Sequence, residues 1–167
     1  VGDEPFSVLL ADDLFISSPS CMQQLAKSYN EHGNTTIAVN VIDKKNIHKY
    51  GVIDPGDNKL MNNEVNISNI VEKPSAEEAP SDIAVCGRYI FNPSIFNYIE
   101  TVKPDTSGEI QITDAIQLLL EKENVKAKIY KGEKYDCGSK TGYVEATIAI
   151  GMKDPEISDN IKKIIRE

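Results

Sequence analysis

Two adjacent carboxylates follow a short apolar segment near the start of the sequence. In the stretch FSVLLADDL, Asp12 and Asp13 come directly after a nearly continuous apolar run. Ligands of open α/β sheets bind beyond the carboxyl ends of the strands, and a carboxylate there is well placed to hold Mg²⁺. Alternatively, one aspartate caps the next element and the other faces solvent. This stretch alone leaves both interpretations open.

A pair of opposite charges, Glu72 and Lys73, ends another apolar segment and is followed at once by Pro74. Neighbouring side chains on a strand point to opposite faces, so we expect these two not to form a simple surface ion pair. A lysine ammonium suits a phosphate, and a glutamate carboxylate can accept hydrogen bonds from vicinal hydroxyls. Pro74 would fix the exit of the chain. Taken alone, the motif is better explained as a solvated strand end.

Two further positions could contribute to a site. Gly51, in KYGVID, stands at the head of a predicted strand, where a glycine permits close approach of a ligand or simply a bend. Asp136, in YDCGSKTGY, precedes a Cys-Gly turn that opens a predicted helix at Ser139. Asp136 therefore either caps that helix or provides a metal ligand.

The elements that would position these residues alternate between strands and helices. We predict strands at 5–11, 35–42, 51–54, 65–72, 81–91 and 125–132. We predict helices from Pro19 to Gly33, after Asn92-Pro93, at 111–124, from 139 onwards and at 154–167. The order predicts one α/β layer structure with a mixed sheet, in which the first strand is buried on both faces.

Helix ends and helix faces can also be predicted from the residue types. We expect Ser18 to cap the first helix and Asn92-Pro93 to cap the second. The two C-terminal helices should each turn an apolar face inward. The predicted inward residues are Tyr143, Ala146, Thr147 and Ile150 in the first helix, and Ile157, Ile161, Ile164 and Ile165 in the second.

Composition limits the possible classes of protein. The chain has 167 residues, 40% of them hydrophobic, and a formal net charge of −8, which disfavours a nucleic-acid surface. No apolar run reaches the roughly 18 residues of a membrane span. The three cysteines are widely spaced, which predicts reduced thiols in a cytoplasm. Because the chain does not begin with Met, we expect it to be a portion of a longer protein.

Taken in order, several motifs resemble the bacterial UTP–glucose-1-phosphate uridylyltransferases. These motifs are FSVLLADDL, YGVID, NIVEKP, APSDIAVCGRYIF, GEIQITDAIQLL and KYDCGSKTGY, which together span residues 5–150. The resemblance implies a nucleotidyltransferase-type, Rossmann-like α/β fold and the reaction of UTP with glucose 1-phosphate to give UDP-glucose and pyrophosphate. It also implies Mg²⁺ as cofactor, a homo-oligomer, and no nucleic-acid or membrane partner.

The resemblance carries specific roles to matching positions. Asp12 matches the metal-binding aspartate and Asp136 a second metal-site aspartate. Gly51 matches a glycine whose backbone contacts the sugar. Glu72 matches the glutamate that binds glucose hydroxyls, and Lys73 the lysine that holds the sugar phosphate. Lys73 and Asp12 are therefore the expected catalytic residues.

One departure from the family pattern is large. The glycine-rich GxGTRxxP-type loop that wraps the triphosphate is missing from the sequence. We therefore expect residues 1–167 to be the sugar-phosphate- and metal-binding portion of a single nucleotidyltransferase domain, with C-terminal helices at 139–167, and to be inactive alone. Two alternatives stay open: another sugar-1-phosphate nucleotidyltransferase, such as a thymidylyltransferase, or a non-catalytic sugar-phosphate-binding or assembly module.

Overall fold

A seven-stranded mixed sheet forms the centre of the molecule in a computed structural model that describes residues 1–105 and 108–166. The strands are β1 (Phe6–Leu9), β2 (Asp13–Ile16), β3 (Thr36–Val41), β4 (Gly51–Asp54), β5 (Glu64–Asn66), β6 (Asn69–Glu72), β7 (Ile83–Phe91), β8 (Lys126–Ile129) and β9 (Glu133–Asp136). The sheet order is β5-β8-β3-β7-β4-β6, with β1 beside β7, and β2 and β9 pair separately. The predicted mixed sheet is confirmed.

The helices lie between and after these strands. They are α1 (Cys21–His32), α2 (Ile95–Ile99), α3 (Ile112–Leu120), α4 (Lys140–Gly151) and α5 (Ser158–Arg166), with a 3₁₀ helix at Lys44–Lys49. Within the described ranges, none of these helices has both the length and the apolar character that crossing a bilayer requires. A helix is present at each of the predicted places, with shorter bounds than predicted at 111–124 and 154–167.

Strand β7 is the centre of the sheet. Its partners are β3 along one edge, and β4 and β1 along the other. The change of partner occurs around Gly87, whose φ of 63° is the left-handed conformation that favours glycine. Ala84 pairs with β4, whereas Arg88–Phe91 pair with β1. Glycine at this point lets one strand serve two neighbours, and a cavity lies beside it.

The main core packs α2 and α3 against the sheet. Ala115, Ile116 and Leu119 of α3 follow helical spacing and are fully buried. Full burial of a side chain as large as that of Ile116 or Leu119 stabilises the fold by about 1.5–3 kcal/mol relative to exposure. A second cluster lies under α1 and includes Leu25 and Cys86.

Helix α1 begins later than predicted. Its N-cap is Ser20, whose side chain accepts a hydrogen bond from the Gln23 backbone while the Gln23 side chain accepts one from the Ser20 backbone. The prediction that Ser18 caps the helix is therefore wrong, because Ser20 and Gln23 together satisfy two free backbone donors reciprocally. The predicted end at Gly33 is confirmed, with φ of 68°.

Two strand predictions need correction. Strand β1 is only half-buried, and Leu9 is exposed, because β1 has β7 as a neighbour on one side only within the described residues. The predicted strand 65–72 is two strands, because β5 pairs with β8 whereas β6 pairs with β4. The break falls at Ile67 and Ser68, whose backbone N–H groups bond to Val125 and Asp54.

The predicted cap of α2 is also wrong. Asn92 uses its side-chain amide to accept from the Tyr29 hydroxyl and to donate to the Gly33 carbonyl, which links β7 to α1. The helix begins instead after Ser94, which makes no side-chain capping bond.

The predicted inward faces of α4 and α5 are largely wrong. In α4, Ala146 is buried, but Tyr143 is 62% exposed. In α5, Ile164 and Ile165 are exposed, and α4 is the main neighbour of α5 among the described elements. The helical period identifies an apolar face correctly, but the presence of a neighbour to cover it depends on tertiary structure.

Candidate active site

The turn after β1 is held by a buried arginine. Arg88 Nη1 donates to the carbonyls of Leu10, at 2.7 Å, and Gly87, at 3.0 Å, and its Nη2 donates to the Asp13 carbonyl. The guanidinium carbon also lies 4.4 Å from the centre of the Phe15 ring. These contacts fix the backbone that carries the two adjacent aspartates.

Asp12 and Asp136 come together where this turn meets β9. Pairing of β2 with β9 places Asp13 opposite Asp136, and the Cys137 N–H donates to the Asp12 carbonyl at 2.7 Å. A methyl group placed on Gly138 would lie 2.7 Å from Asp12 Oδ2 and 3.2 Å from Asp136 Oδ1. Both carboxylates therefore face the space that the missing Gly138 side chain leaves open.

The capping interpretation of Asp136 is wrong. Ser139 is the N-cap of α4, and its hydroxyl accepts from the Gly142 N–H at 3.0 Å. Asp136 Oδ1 instead accepts from the Gly138 N–H at 3.0 Å. The Asp136 carboxylate is thus fixed in the turn before the helix.

Asp13 is engaged in a largely buried ion pair. Its Oδ1 lies 2.6 Å from Lys134 Nζ, and the side chains are 12% and 14% exposed. Burial raises the pKa of Asp13 despite the opposing effect of Lys134. Burial alone would lower the pKa of Lys134, but the hydrogen bond and charge of Asp13 raise it overall. Lys134 therefore compensates Asp13, whereas the neighbouring Asp12 is exposed.

The second half of the site is built on β4, β6 and α3. Gly51 pairs with Glu72 across the two strands, and the Thr113 hydroxyl of α3 donates to Glu72 Oε2 at 2.6 Å. A methyl group on Gly51 would lie 3.0 Å from Thr113 Oγ1 and 3.1 Å from Glu72 Oε2. Gly51 does not adopt a left-handed conformation, so glycine is favoured here by the limited space rather than by a bend.

Lys73 follows the strand in an unusual backbone conformation. Its φ is 43°, in the left-handed region that non-glycine residues rarely adopt, and its N–H donates to the Tyr50 carbonyl at 3.1 Å. The ammonium lies 3.6 Å from Glu72 Oε1 and the side chain is 51% exposed. The prediction that Glu72 and Lys73 do not pair is wrong, because the chain leaves the strand at Glu72 and side-chain alternation ends there.

Two neighbouring cavities connect these groups. The first, of about 160 Å³, is lined by residues that include Leu10, Asp13, Gly51, Glu72, Gly87 and Thr113. The second, of about 200 Å³, is lined by residues that include Asn40, Cys86, Lys134 and Asp136. Tyr50 and Val85 line both. Asp12 and Lys73 do not line either cavity themselves. Asp12 lies next to Asp136, which lines the second cavity, and Lys73 contacts Glu72, which lines the first.

Three contributors were missed at the level of sequence: Arg88, Thr113 and Lys134. Thr113 lies inside the GEIQITDAIQLL motif, so the resemblance included this position, but no role was predicted for its side chain. Arg88 and Lys134 act through partners far away along the chain, Leu10 and Asp13. No local pattern signals such contacts.

A comparison with known protein families agrees with this fold and with the two groups of residues that form the site, Asp12–Asp136 and Gly51–Glu72–Thr113. A family model described as nucleotidyl transferase matches residues 1–152. The chain therefore belongs to the nucleotidyl transferase family, and the predicted fold class is confirmed.

Curated relatives are more specific. A UTP–glucose-1-phosphate uridylyltransferase of Staphylococcus epidermidis is 41% identical over 167 residues, covering 100% of this chain and 57% of the relative. A protein of the same name from Bacillus subtilis is 40% identical over 161 residues, covering 96% of this chain and 54% of the relative. The chain thus spans little more than half the length of the curated relatives it matches. The resemblance inferred from the motifs is confirmed.

Solved structures agree with the curated relatives. A UDP-glucose pyrophosphorylase complexed with UDP-glucose has a TM-score of 0.87 and 41% identity, covering 92% of this chain and 58% of that one. A UTP-bound UGPase from Acinetobacter baumannii has a TM-score of 0.84 and 31% identity, covering 99% and 57%. A putative glucose-1-phosphate thymidylyltransferase from Bacillus anthracis is more distant, with a TM-score of 0.70 and 25% identity over 89% of this chain and 55% of that one.

Proposed function

We propose that the complete protein to which this chain belongs is a UTP–glucose-1-phosphate uridylyltransferase, which forms UDP-glucose and pyrophosphate. The supporting observation is the Gly51–Glu72–Thr113 arrangement beside the Asp12–Asp136 pair, in a chain 41% identical over its whole length to proteins of that name. The thymidylyltransferase alternative has weaker support, since the corresponding structural neighbour is 25% identical.

The sugar 1-phosphate would occupy the Gly51–Glu72 end of the site. Thr113 holds Glu72 Oε2, which fixes the carboxylate so that it can accept hydrogen bonds from sugar hydroxyls. The missing side chain of Gly51 gives the ring access to the backbone. Lys73 is half-exposed and its 3.6 Å contact with Glu72 is loose, so its ammonium can pair with the sugar phosphate.

Asp12 and Asp136 fit a magnesium ion. Both offer the oxygen ligands that Mg²⁺ prefers, and both face the space left open at Gly138. Among the described residues, Asp12 has no counter-ion of the kind that Lys134 provides for Asp13. When bound there, Mg²⁺ would offset the charge of the phosphates. Lys134 limits the negative charge of the acidic turn by pairing with Asp13, which favours the approach of an anionic substrate.

The reaction asks for positioning rather than for a covalent nucleophile. The attacking oxygen of glucose 1-phosphate is already ionised, so no general base is needed in phosphoryl-type transfer. Two anions must be brought together, and Lys73 lowers the barrier by neutralising one of them. The parts that bind UTP would come from the remainder of the complete protein.

Replacement of Lys73 tests this proposal. In the complete protein we expect Lys73→Ala to lower kcat/KM for UDP-glucose formation by about 10²–10³-fold, the scale of one preorganised electrostatic contact. Lys27→Ala, on an exposed position of α1, is the matched control. A near-normal rate for Lys73→Ala would contradict the role of Lys73.

The same assay separates the alternative functions. Turnover with dTTP or CTP in preference to UTP would indicate another sugar-nucleotide transferase. Calorimetric binding of glucose 1-phosphate without turnover of any nucleotide would indicate a non-catalytic module. We expect the complete protein to turn over UTP and the chain of residues 1–167 alone to form no UDP-glucose.

We further propose that the complete protein is a cytoplasmic homo-oligomer. All three cysteines are free thiols, as a reducing compartment favours. Exposed apolar side chains on α4 and α5, including Tyr143 and Ile164, provide surface that a second copy could cover.

A further inference from the structure

A second group of metal-binding side chains lies outside the candidate active site, where the end of α1 meets β5. Glu31 and His32 are the last residues of α1, and Glu64 is the first residue of β5. One ligand atom from each of the three lies within 4.8 Å of the others. The residues come from distant parts of the chain, so the fold rather than local sequence brings them together.

The spacing of these atoms suits a tetrahedral metal ion. His32 Nε2 lies 3.3 Å from Glu64 Oε2. Zinc binds histidine nitrogen and carboxylate oxygen at about 2.0–2.2 Å, so two such ligands at a tetrahedral angle are about 3.3 Å apart. Glu31 is exposed, so its carboxylate can move to complete a set of three protein ligands. A water molecule would be the fourth ligand, as in other three-ligand zinc sites.

Buried polar atoms around this group lack ordinary partners. The Ser28 side chain is 1% exposed and lies close enough to the Glu64 carboxylate for a weak hydrogen bond, but its hydroxyl has no hydrogen bond of ordinary geometry among the described residues. Asn66 Oδ1 is likewise buried without a hydrogen-bond partner. Asn66, His32 and Glu64 line the same cavity, of about 380 Å³. Unsatisfied buried polar atoms of this kind call for an explanation, and a hydrated cation would provide partners for them.

The local charge is mixed, because Lys59 and Lys126 line the same cavity as the acidic groups. The C-terminal end of a helix carries a partial negative charge, and the group lies at that end of α1. Lys128 compensates one glutamate, with Nζ 2.8 Å from Glu64 Oε1. The other oxygen of Glu64, Oε2, faces His32 and is the one available to a metal. Glu31 supplies a further negative charge.

We propose that Glu31, His32 and Glu64 form a zinc site that joins the end of α1 to the edge of the central sheet. An imidazole ligand favours Zn²⁺ over Mg²⁺, which prefers oxygen ligands throughout. The site is separate from the Asp12–Asp136 pair and does not depend on the proposed function. Because the ion would bind the folded state only, it would stabilise the fold by mass action.

The test is titration of the intact, metal-stripped protein with Zn²⁺ alone, followed by calorimetry and by thermal unfolding. We expect one saturable Zn²⁺ site per chain that persists in Asp12→Asn, and a thermal midpoint that rises with Zn²⁺ concentration. In Asp12→Asn, which lacks the proposed Mg²⁺ ligand, Mg²⁺ at the same concentration should reproduce neither effect. His32→Ala should weaken Zn²⁺ binding by more than about 100-fold, since even changes to residues that only support a ligand weaken binding 10–100-fold.

Matched variants keep the test decisive. His48→Ala removes the only other histidine of the chain, which is exposed in the 3₁₀ helix, and should leave Zn²⁺ binding unchanged. Glu31→Gln changes an exposed residue and should weaken binding without loss of fold, as checked by circular dichroism. Asp12→Asn and Cys137→Ser exclude binding at the candidate active site.

Two results would overturn the proposal. One is absence of saturable Zn²⁺ binding to the folded protein. The other is binding that survives both His32→Ala and Glu31→Gln, or that is lost in Asp12→Asn or Cys137→Ser instead.

Discussion

Asp12 and Asp13 are identical in chemistry but differ in surroundings. Asp13 lies 2.6 Å from Lys134 in a largely buried pair, whereas Asp12 is exposed and faces the open space at Gly138 together with Asp136. Lys134 already compensates the charge of Asp13, whereas no such ion pair involves Asp12 among the described residues. The neighbours of the two residues, rather than the residues themselves, therefore favour Asp12 over Asp13 for the proposed metal-binding role.

Substitution of each aspartate should separate these roles. In the complete protein, we expect Asp12→Asn to abolish most activity and to raise the Mg²⁺ concentration needed for what remains. Asp13→Asn should instead lower the free energy of unfolding by about 3–5 kcal/mol, because it leaves Lys134 buried without its partner. Mg²⁺ titrations of turnover and urea unfolding measure the two effects. An unchanged Mg²⁺ titration in Asp12→Asn would show that Asp12 is not a ligand.

Thr113 is a positioning residue for Glu72. Thr113→Val removes the 2.6 Å hydrogen bond to Glu72 Oε2 while keeping the size of the buried side chain. We expect kcat/KM for glucose 1-phosphate to fall by roughly 10-fold or more, the scale of a hydrogen bond to a charged group, with little change in KM for UTP. Steady-state kinetics of the complete protein measure this split.

The control for that prediction is Thr113→Ser, which keeps the hydroxyl and should keep most of the activity. If Thr113→Ser and Thr113→Val were equally impaired, packing rather than the hydrogen bond would explain the effect.

At the scale of elements, the junction between β9 and α4 sets the position of Asp136. A methyl group on Gly142, in the first turn of α4, would lie 2.0 Å from the Asp136 carbonyl oxygen. That distance is far inside van der Waals contact and the opposing atom is backbone. The helix can therefore approach the end of β9 only because position 142 is glycine.

Gly142→Ala should push α4 away from β9. We expect a loss of about 1–3 kcal/mol in the free energy of unfolding, the usual effect of overpacking, although alanine favours a helix more than glycine does. Urea unfolding measures the change, with Glu145→Ala, an exposed position in the same helix, as control. A stabilised Gly142→Ala protein would contradict the close approach described here.

The elements differ in how much of them the sequence could predict. Helix α3 was predicted well because its apolar residues repeat with the helical period and the sheet covers them. Helix α5 has an equally clear period, but Ile164 and Ile165 are exposed, and α4 is its main neighbour among the described elements. Burial depends on a second element, which a local pattern does not contain.

The site residues likewise differ in how far they could be predicted from the sequence. Asp12, Gly51, Glu72 and Asp136 could be selected from their motifs, and the fold brings them together in two neighbouring groups. The left-handed conformation of Lys73 was not predictable, since non-glycine residues adopt it only where the surrounding structure compensates for the strain. Its ion pair with Glu72 was missed for that reason.

At the scale of the whole molecule, buried thiols make the free energy of unfolding depend on pH in the alkaline range. Burial raises the pKa of Cys86 to about 12 and that of Cys21 to about 11, against an ordinary value of 9.0. The unfolded chain therefore loses these protons at a lower pH than the folded chain does. Their contribution to stability is complete below about pH 9 and is lost as the pH rises towards 11 and 12.

We expect the urea midpoint to fall steadily over this alkaline range. Lys134 acts in the same direction, because the Asp13 carboxylate raises its folded-state pKa against the effect of burial. Cys86→Ala should begin from a lower stability but show a shallower decline, since one of the titrating groups is gone. A midpoint that stays constant above pH 9 would contradict the prediction.

The pairing of β2 with β9 also fixes an order of events during synthesis. Asp13 and Asp136 are partners in this short ladder although they come from opposite ends of the sequence. Closing so long a loop is slow compared with pairing of nearby strands such as β4 and β6. On the ribosome, Gly51 and Glu72 can meet once β6 has emerged, whereas Asp12 and Asp136 can meet only after β9 has been made. A nascent chain therefore completes the framework of the proposed sugar-binding end well before it can bring together the two carboxylates proposed to bind a metal ion.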